Sequence, residues 1–484
     1  MALSGIHLFL HNKLARIIGC ANKNSGKIEL NKIKKIVLIQ PPEASPFDDY
    51  VLPTRYPLNL FTLTGALMQK FSNLEIIVVD LGLPNMDLTK ILKEENPDMV
   101  GITFMTPQYK MTIDIVDKVR KTLGEKVQIV GGGVHSTALP HETMREIDFN
   151  FLVVHEGEET FPDLILALDK EITLNKVRSI FYREKGEVIG TDSRPRIQNL
   201  DSFPLATEVL PLGYLDQYAV TQEIEKSGIM APIFSSRGCP KACAFCASNV
   251  VFLQKAGVKN PVLRGHDLIL REIMQLYHEH GISIVRFADD FFDINQERAL
   301  AIANGILDSS IRESMEFSFM ALARKGMSIE YYKLLRKAGF RRVAFGIESG
   351  DPELMEKMGK MNGINFGEEN TFAAQRGGIK VKWYLMVGLP DQDWKSINKT
   401  IAFVNQNRPD YIGVAIATPY PGTRLAEMGN ITIKSGYGGM IHEPPPNLKG
   451  REFTPFTYTN VMKAEEIGAA RQLTLNSFDL LQQI

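Results

Sequence analysis

Short apolar runs alternate with amphipathic stretches in two successive series along this chain of 484 residues, and this alternation constrains its fold more than any other feature. Such a rhythm, with turn residues between the runs, is typical of parallel strands joined by helices. The first series predicts five strands and a doubly wound, flavodoxin- or Rossmann-like α/β domain over 34–175. In a sheet of this kind, ligands bind beyond the carboxyl ends of the strands. The five runs are KKIVLIQ (34–40), EIIVVDL (75–81), DMVGITF (98–104), KVQIVGGG (126–133) and FNFLVV (149–154).

The second series predicts a partial (β/α)6 barrel of the TIM type over 226–425. About six strand–helix units follow one another, and in such a barrel the chemistry takes place at the carboxyl ends of the strands. The runs are IFSSRGC (233–239), SIVRFADDFF (283–292), EFSFMAL (316–322), RRVAFGIES (341–349), KVKWYLMVGLP (380–390) and YIGVAIATP (411–419).

Three further segments complete the domain organisation. Apolar residues at helical spacing predict a helical extension over 1–33, docked on the body of the protein or lying on a membrane surface. Residues 176–225 are predicted to form a proline-punctuated linker with a small hairpin, KVRSIFYREKGEVIGT. Residues 426–484 are predicted to form a C-terminal tail subdomain.

The bulk composition narrows the class of protein. A net charge of −1 gives no basic field for nucleic acid. No apolar run approaches the roughly 20 residues that a membrane-spanning helix needs. Only 4 cysteines occur in the chain, which fits a reducing compartment. We therefore expect a cytoplasmic protein without a nucleic-acid partner or a transmembrane segment, with peripheral membrane association through the N-terminal helix as the second interpretation.

The stretch RGCPKACAFCASN (237–249) contains Cys239, Cys243 and Cys246. Three thiols on one loop, at the end of the second domain's first strand, indicate a shared metal centre, because a disulfide framework needs an even number. A cubane iron–sulfur cluster with one iron left open by the protein is the favoured interpretation. A zinc site with three cysteines and three incidental buried cysteines are the alternatives.

This stretch resembles the Cys-x3-Cys-x-aromatic-Cys signature of the radical S-adenosylmethionine (SAM) enzymes, with Phe245 at the aromatic position. The segments FADDFF and FGIESGD are similar to later motifs of the same superfamily. The resemblance implies a [4Fe-4S] cluster on the three cysteines and SAM on its open iron. It also implies that Asp289 or Asp290 receives the amino group of SAM, and that Glu348 and Ser349 contact its ribose or carboxylate.

The first domain resembles the cobalamin-binding domain of some members of this superfamily. The resemblance lies in GITFM, IVGGGVHSTALP and VVHEGEETF and implies cobalamin contacts from Gly101, Thr103, Gly131, Gly132, Gly133 and Glu156. The usual Asp-x-His-x-x-Gly motif is missing after the first strand, where the sequence is QPPEASPFDDY. We therefore expect cobalamin without a histidine below the cobalt, and we interpret His135 as an ordinary loop histidine.

The resemblance implies an enzyme, most readily a cobalamin-dependent radical SAM methyltransferase. Such an enzyme methylates an unactivated carbon or phosphorus centre through a 5′-deoxyadenosyl radical and methylcobalamin. Ring formation, ring contraction or carbon–carbon coupling without methyl transfer is the alternative, and a non-catalytic cobalamin and iron–sulfur sensor is the alternative of another class. The expected partners are a small-molecule, lipid or natural-product substrate and an electron donor such as flavodoxin or ferredoxin. Tyr384, Met386 and Tyr420 lie where the substrate would bind.

Overall fold

The computed structural model describes residues 6–11, 13–19, 26–42, 55–251, 261–433 and 457–482. Its first nine strands form one sheet. They are β1 (Ile6–His11), β2 (Leu14–Gly19), β3 (Lys35–Gln40), β4 (Glu75–Asp80), β5 (Met99–Thr103), β6 (Gln128–Gly132), β7 (Phe151–Val153), β8 (Ile180–Glu184) and β9 (Glu187–Gly190). Their spatial order is β1-β2-β4-β3-β5-β6-β7-β8-β9.

The five central strands of this sheet are parallel, in the order β4-β3-β5-β6-β7. This is the flavodoxin-like doubly wound order, and the predicted fold of the first domain is confirmed. Residues 36–39 of β3 are all buried, as expected for a strand covered by helices on both faces. The strand order reverses between β3 and β5, where such sheets form their ligand crevice. The helices are α1 (Leu58–Lys70), α2 (Leu88–Glu95), α3 (Tyr109–Leu123), α4 (Val134–Ala138), α5 (Pro140–Glu146) and α6 (Gly157–Asp169).

The helix predicted for the N-terminal extension is wrong in the described residues, where the chain forms the antiparallel hairpin β1–β2. Strand β2 pairs with β4, so that Ala15 lies opposite Val78. Ala15 and Ile17 are fully buried, and the Arg16 guanidinium pairs with Glu75 and Glu95. Without β2, the backbone groups at the outer edge of β4 would be unpaired. Pairing with this edge favours a strand here, although the spacing of the apolar residues also fits a helix.

The hairpin predicted between the two domains is present as β8–β9. It belongs to the first sheet, because β8 pairs antiparallel with β7. The linker then continues to the second sheet through residues 191–219, which include three short 3₁₀ turns.

The second sheet is the predicted half-barrel. Its strands are β10 (Val220–Gln222), β11 (Ser227–Ile233), β14 (Ile284–Phe287), β15 (Glu316–Ala321), β16 (Phe340–Glu348), β17 (Lys380–Val387) and β18 (Tyr411–Ile416). They lie in this order, and the six from β11 to β18 are parallel. The partial (β/α)6 barrel is therefore confirmed. Two small ribbons pair β12 (Ser236–Arg237) with β13 (Val262–Leu263), and β19 (Ile431–Ile433) with β20 (Thr457–Thr459).

Helices cover the outer face of the half-barrel. They are α7 (Ser248–Val251), α8 (His266–His278), α9 (Gln296–Leu307), α10 (Ile329–Lys337), α11 (Pro352–Lys357), α12 (Asn362–Arg376), α13 (Trp394–Asn407), α14 (Arg424–Glu427) and α15 (Ala464–Gln482), of which α7 and α14 are short turns beside the strand ends. Trp383 of β17 shows which face is the outer one. Its Nε1 donates to Thr371 Oγ1 on α12 at 2.9 Å, and its ring lies 5.3 Å from that of Phe403 on α13. Since side chains alternate along a strand, Lys382, Tyr384 and Met386 point to the inner face.

The C-terminal tail packs on the half-barrel. Helix α15 lies against α13 and β18, and Arg471 Nε donates to Val414 O at 2.9 Å. The segment HEPPPNLKG lies outside the described residues. Within the described part of the chain, no helix is both long and apolar enough to cross a membrane.

Candidate active site

The three cysteines lie on the loop that follows the first parallel strand of the half-barrel. Cys239 and Cys243 are buried, Cys246 is half-buried, and none of the three forms a disulfide. Gly238, with a φ of +89°, turns the chain into the loop in a conformation that suits glycine. Burial raises the pKa of the Cys239 thiol to about 12, and the nearby charges of Asp290, Cys246 and Cys243 act in the same direction. A metal centre would offset the free-energy cost of deprotonating these buried thiols, because a thiolate in such a pocket needs a positive charge beside it.

Lys360 is a buried positive side chain that interacts electrostatically with all three cysteines. It is buried, and its Nζ lies 3.5 Å from Glu348 Oε1 and 5.8 Å from the centre of the Phe291 ring. Burial lowers the pKa of Lys360, but Glu348 and the three cysteines outweigh burial and raise it above its usual value. Lys360 therefore stays charged beside the cysteine loop.

The donor set is compatible with a cluster. Three sulfur ligands suit a cubane iron–sulfur cluster that keeps one iron open. Among the described residues, no three His, Cys, Asp or Glu side chains are already spaced to hold a single metal ion.

The two adjacent aspartates at the end of β14 have different surroundings. Asp289 accepts hydrogen bonds from the backbone N–H groups of Ser235 (2.7 Å) and Ser236 (2.9 Å) and from the Ser235 hydroxyl. Its carboxylate thus holds the start of the cysteine loop. Asp290 Oδ1 accepts from Ser248 Oγ at 2.6 Å, while its buried Oδ2 has no protein donor. Asp290 also lies near Cys239 and Cys246, so it is the aspartate that faces the cysteines.

Glu348 and Ser349 also separate. Glu348 is buried at the end of β16 with a φ of +67°, a strained conformation for a residue with a side chain, and lies close enough to Cys243 to raise the pKa of that thiol. Ser349 is fully buried, and its Oγ lies 2.9 Å from Thr400 Oγ1 and accepts from the Asp351 N–H at 3.1 Å. The structure therefore places Glu348 beside the cysteines and Ser349 in the turn behind it.

The glycines predicted to contact cobalamin serve different purposes. A Cβ on Gly101 would lie 2.7 Å from Leu38 Cδ2, and one on Gly131 would lie 2.6 Å from Leu152 Cδ2, so both glycines allow close packing inside the domain. Gly133 has a φ of +100°, and its Cβ would lie 2.6 Å from Phe104 O. At Gly132 a Cβ would meet only Val153 O, at 3.5 Å. Of these four glycines, only Gly132, at the strand end, would accept a Cβ without a close contact.

Thr103 and His135 lie on either side of this strand end. Thr103 is half-buried and its Oγ1 accepts from Asn59 Nδ2 at 3.4 Å. His135 is fully buried, with Nδ1 3.2 Å from Thr106 Oγ1 and its ring 4.6 Å from that of Tyr109. Burial lowers the pKa of His135 to about 4, so it is a neutral core residue, in line with its interpretation as an ordinary histidine.

Glu156 joins the two domains. Its Oε1 accepts from Arg237 Nη1 at 3.0 Å and its Oε2 from the Ile197 N–H at 2.9 Å. Arg237 Nη2 also donates to Glu158. The carboxylate predicted to contact cobalamin is therefore engaged by the arginine two residues before Cys239.

A helix contact brings the two candidate cofactor regions together. Helix α4 begins at Val134, directly after the glycines, and packs against α7, which begins two residues after Cys246. His155 Nδ1 lies 3.1 Å from the carbonyl oxygen of Val251 at the end of α7. The strand ends of the first domain therefore lie next to the cysteine loop.

Sequence reasoning missed Lys360 and Arg237 as site residues. Arg237 stands directly before Gly-Cys-Pro, and its position next to the signature was an available signal. Lys360 lies in the short loop between α11 and α12, which carries no motif. Of the predicted substrate positions, Tyr384 and Met386 lie on the inner face of β17, and Tyr420 is half-buried just beyond β18.

A doubly wound domain whose glycine-rich strand end adjoins a three-cysteine half-barrel is the arrangement of an enzyme with one cofactor region in each domain. Two family models agree with this class: the B12 binding domain matches residues 51–165 and the radical SAM superfamily matches residues 233–404. The chain belongs to the cobalamin-dependent radical SAM enzymes, whose cofactors are a [4Fe-4S] cluster, SAM and cobalamin.

Three known proteins are similar to this chain. The uncharacterized methyltransferase PH0819 of Pyrococcus horikoshii is 33% identical over 402 residues, which cover 82% of this chain and 83% of that protein. The anaerobic magnesium-protoporphyrin IX monomethyl ester cyclase of Cereibacter sphaeroides is 22% identical over 345 residues, covering 70% of this chain and 54% of the cyclase. The structure of the radical SAM methyltransferase TsrM from Kitasatospora setae, with cobalamin and a [4Fe-4S] cluster bound, superposes with a TM-score of 0.69 at 15% identity, covering 93% of this chain and 89% of that one.

Proposed function

We propose that this protein is a cobalamin-dependent radical SAM methyltransferase that methylates an unactivated carbon or phosphorus centre of a small molecule. One observation carries the proposal: the Gly132 strand end and the cysteine loop adjoin each other through α4, α7 and the Arg237–Glu156 ion pair. Methyl transfer between two cofactors requires such proximity, because reacting groups must be held within contact of one another.

The roles of the side chains follow from their surroundings. Cys239, Cys243 and Cys246 would hold the cluster, and Asp290, with its unsatisfied buried oxygen, would accept the ammonium of SAM. Asp289 positions the cysteine loop through Ser235 and Ser236. When bound, the cofactors supply radical chemistry on SAM and a transferable methyl group on cobalamin, and the protein supplies orientation and an enclosed, water-poor site.

Lys360 and Glu348 form a neutral pair beside the cysteines. Because both are buried, replacing either one would leave an uncompensated charge in a region of low polarity. The pair therefore fixes the electrostatic environment of the cluster, and Glu348, which lies near Cys243, would accept a hydrogen bond from the SAM ribose.

The names of two similar proteins support methyl transfer, since PH0819 and TsrM are both called methyltransferases. The similarity to a magnesium-protoporphyrin ester cyclase favours ring formation as the second candidate. The two candidates differ in their products. Methylation yields S-adenosylhomocysteine besides 5′-deoxyadenosine, whereas radical cyclisation yields deoxyadenosine without it.

The test is anaerobic reconstitution with iron, sulfide, cobalamin, SAM and a low-potential reductant, followed by mass spectrometry of both products against a panel of acceptors. We expect both products from the wild type and neither from C243A. The C20A variant, which removes the cysteine outside the signature, is the matched control and should keep both. If every acceptor that the enzyme converts yields deoxyadenosine without S-adenosylhomocysteine, ring formation is supported instead.

We further propose that a flavodoxin or ferredoxin is the electron donor and that the enzyme works in the cytoplasm. The reducing environment suits the free thiols of the cysteine loop. Replacing the chemical reductant by purified flavodoxin and its reductase tests the first point, and turnover should persist.

A further inference from the structure

Two cations lie on the inner face of the half-barrel beside Tyr384. Arg286 Nη2 donates to Tyr384 Oη at 3.4 Å, and Lys382 Nζ lies 4.6 Å from the centre of the Tyr384 ring. All three side chains are half-buried. Because the Tyr384 oxygen accepts from Arg286, its own O–H remains available to donate.

The contact between Arg286 and Tyr384 crosses the open face of the sheet. Arg286 is on β14 and Tyr384 is on β17, and two strands, β15 and β16, lie between them. Neighbouring strands are about 4.8 Å apart, so β14 and β17 are separated by roughly 14 Å along the sheet. Only the curvature of the half-barrel brings these side chains together, and they therefore meet inside its lumen.

These two cations have no acidic partner in the region that the structure describes. Within the 4.0 Å that defines an ion pair, no carboxylate oxygen lies near Arg286 or Lys382. Other cations of the inner face are neutralised: Arg342 pairs with Glu223 at 2.7 Å, and Lys360 with Glu348 at 3.5 Å. Half-buried positive charges without a counter-charge are costly, and they recur where a protein receives an anion.

The lumen of the half-barrel becomes apolar between these two cations, Arg286 and Lys382, and the cysteine loop. Met386, two residues beyond Tyr384 on the same face, packs against the cluster of apolar residues that includes Ala244 and Phe245 of the loop. Two residues of a strand span about 6.6 Å. Tyr384 therefore lies roughly that distance further from the cysteine loop than Met386 does, and the two cations lie beside Tyr384. Met320 on β15, also half-buried, adds a further apolar side chain to this face.

We propose that the methyl acceptor is an anion: a compound with an apolar body and one carboxylate or phosphate group, which Arg286, Lys382 and the Tyr384 hydroxyl bind. The apolar body then extends past Met386 toward the cysteine loop, which places its reactive centre near the cofactors. This inference rests on the proposed function, since it names the substrate class of the same site.

Binding to the cofactor-loaded enzyme tests the proposal without turnover. The probes are benzoate, phenyl phosphate and their uncharged counterpart benzamide, and affinities are measured by calorimetry or by saturation-transfer NMR. We expect benzoate or phenyl phosphate to bind roughly tenfold or more tightly than benzamide, since a hydrogen bond to a charged group contributes that much. Which of the two anions binds better distinguishes a carboxylate acceptor from a phosphate acceptor.

Variants test whether Arg286 and Lys382 cause the preference for the anions over benzamide. The R286Q/K382Q variant should lose the preference for the anions, and the charge-conserving R286K/K382R variant should keep most of it. The control K333M/K337M removes two positive charges from the exposed end of α10 and should change nothing. SAM and cobalamin affinities serve as the folding check and should stay within twofold in all variants.

Two outcomes would overturn the proposal. In one, benzamide binds the wild type as tightly as both anions. In the other, R286Q/K382Q loses SAM affinity, which would assign the pair to the SAM carboxylate. Neither outcome bears on methyl transfer, because S-adenosylhomocysteine formation is measured separately.

Discussion

Arg237 Nη1 lies 3.0 Å from Glu156 Oε1, and this contact joins the loop that carries the three cysteines to the end of the last parallel strand of the cobalamin domain. The second guanidinium nitrogen pairs with Glu158, and all three side chains are largely buried. Burial raises the pKa of Glu158, but the charge and hydrogen bond of Arg237 outweigh it and bring the pKa below its usual range. One arginine thus pairs with two carboxylates across the domain interface.

The first prediction concerns this interface. The substitution R237M leaves Glu156 and Glu158 as adjacent buried carboxylates, and breaking a buried pair in this way costs about 3–5 kcal/mol of unfolding free energy. We expect a fall in Tm of several degrees and weaker cobalamin binding. The control K357M removes an exposed partner of Asp391 and should leave the unfolding free energy nearly unchanged. Equal effects of the two substitutions would contradict a coupling role for Arg237.

The second prediction separates the two adjacent aspartates. D289N weakens charge-assisted hydrogen bonds to Ser235 and Ser236, which should lower the unfolding free energy by about 2 kcal/mol. D290N alters a side chain that lies near Cys239 and Cys246 and keeps one buried oxygen without a hydrogen bond, so it should raise the Kd for SAM by about tenfold at little cost in stability. Thermal unfolding and SAM titration of both variants measure the contrast. If D289N alone lost SAM binding and its Tm stayed unchanged, Asp289 would be the residue that binds the ammonium of SAM.

The sequence allowed the two sheets and the cysteine site to be predicted because their signals are local. Each parallel strand is an apolar run followed by a helix, and the three cysteines lie within 8 residues of one another. The N-terminal hairpin was mispredicted because its cause is distant in sequence: the open edge of β4 selects a strand for residues 14–19, although their apolar spacing also fits a helix.

The roles of individual site residues depended on contacts that the sequence does not encode locally. The motif FADDFF predicts one acidic contact without showing which aspartate makes it. The structure shows that Asp289 accepts hydrogen bonds from Ser235, whereas Asp290 keeps one buried oxygen without a hydrogen bond. Lys360 reaches the cysteines from the loop between α11 and α12, with no periodicity to reveal it. The four glycines look equivalent in GITFM and IVGGG, and they differ in what surrounds each missing Cβ and, at Gly133, in the backbone conformation.

The third prediction is a pH dependence of stability. Burial raises the pKa of Glu272 on α8 to about 7, although the positive charge of Arg264 opposes this effect. The folded protein therefore binds this proton more tightly than the unfolded chain. The resulting stabilisation is complete below the unfolded pKa near 4.5 and is lost as the pH rises through about 7, by at most about 3 kcal/mol.

The variant E272Q keeps the shape of the side chain and removes its titration. We expect its Tm to change less between pH 5 and pH 8 than that of the wild type. E279Q alters an exposed carboxyl just beyond the same helix and should follow the wild-type profile. Parallel Tm profiles of E272Q and the wild type would show that Glu272 does not titrate in this range.

The fourth prediction concerns two neighbouring glycines at the end of β6. Gly133 has a φ of +100°, and a Cβ there would lie 2.6 Å from Phe104 O, so G133A should strain the backbone and lower the unfolding free energy by about 2 kcal/mol or more. At Gly132 the nearest atom to a Cβ is Val153 O at 3.5 Å, so G132A should fold with a nearly unchanged Tm.

The same methyl group on residue 132 would, however, project into the space at the strand end where cobalamin is expected. We therefore expect G132A to bind hydroxocobalamin severalfold more weakly than the wild type while its Tm in the absence of cobalamin stays the same. Visible absorption spectroscopy of the titrated protein measures the affinity. Unchanged cobalamin affinity in G132A would place the corrin away from Gly132, and the loose packing there would then be a property of the strand end alone.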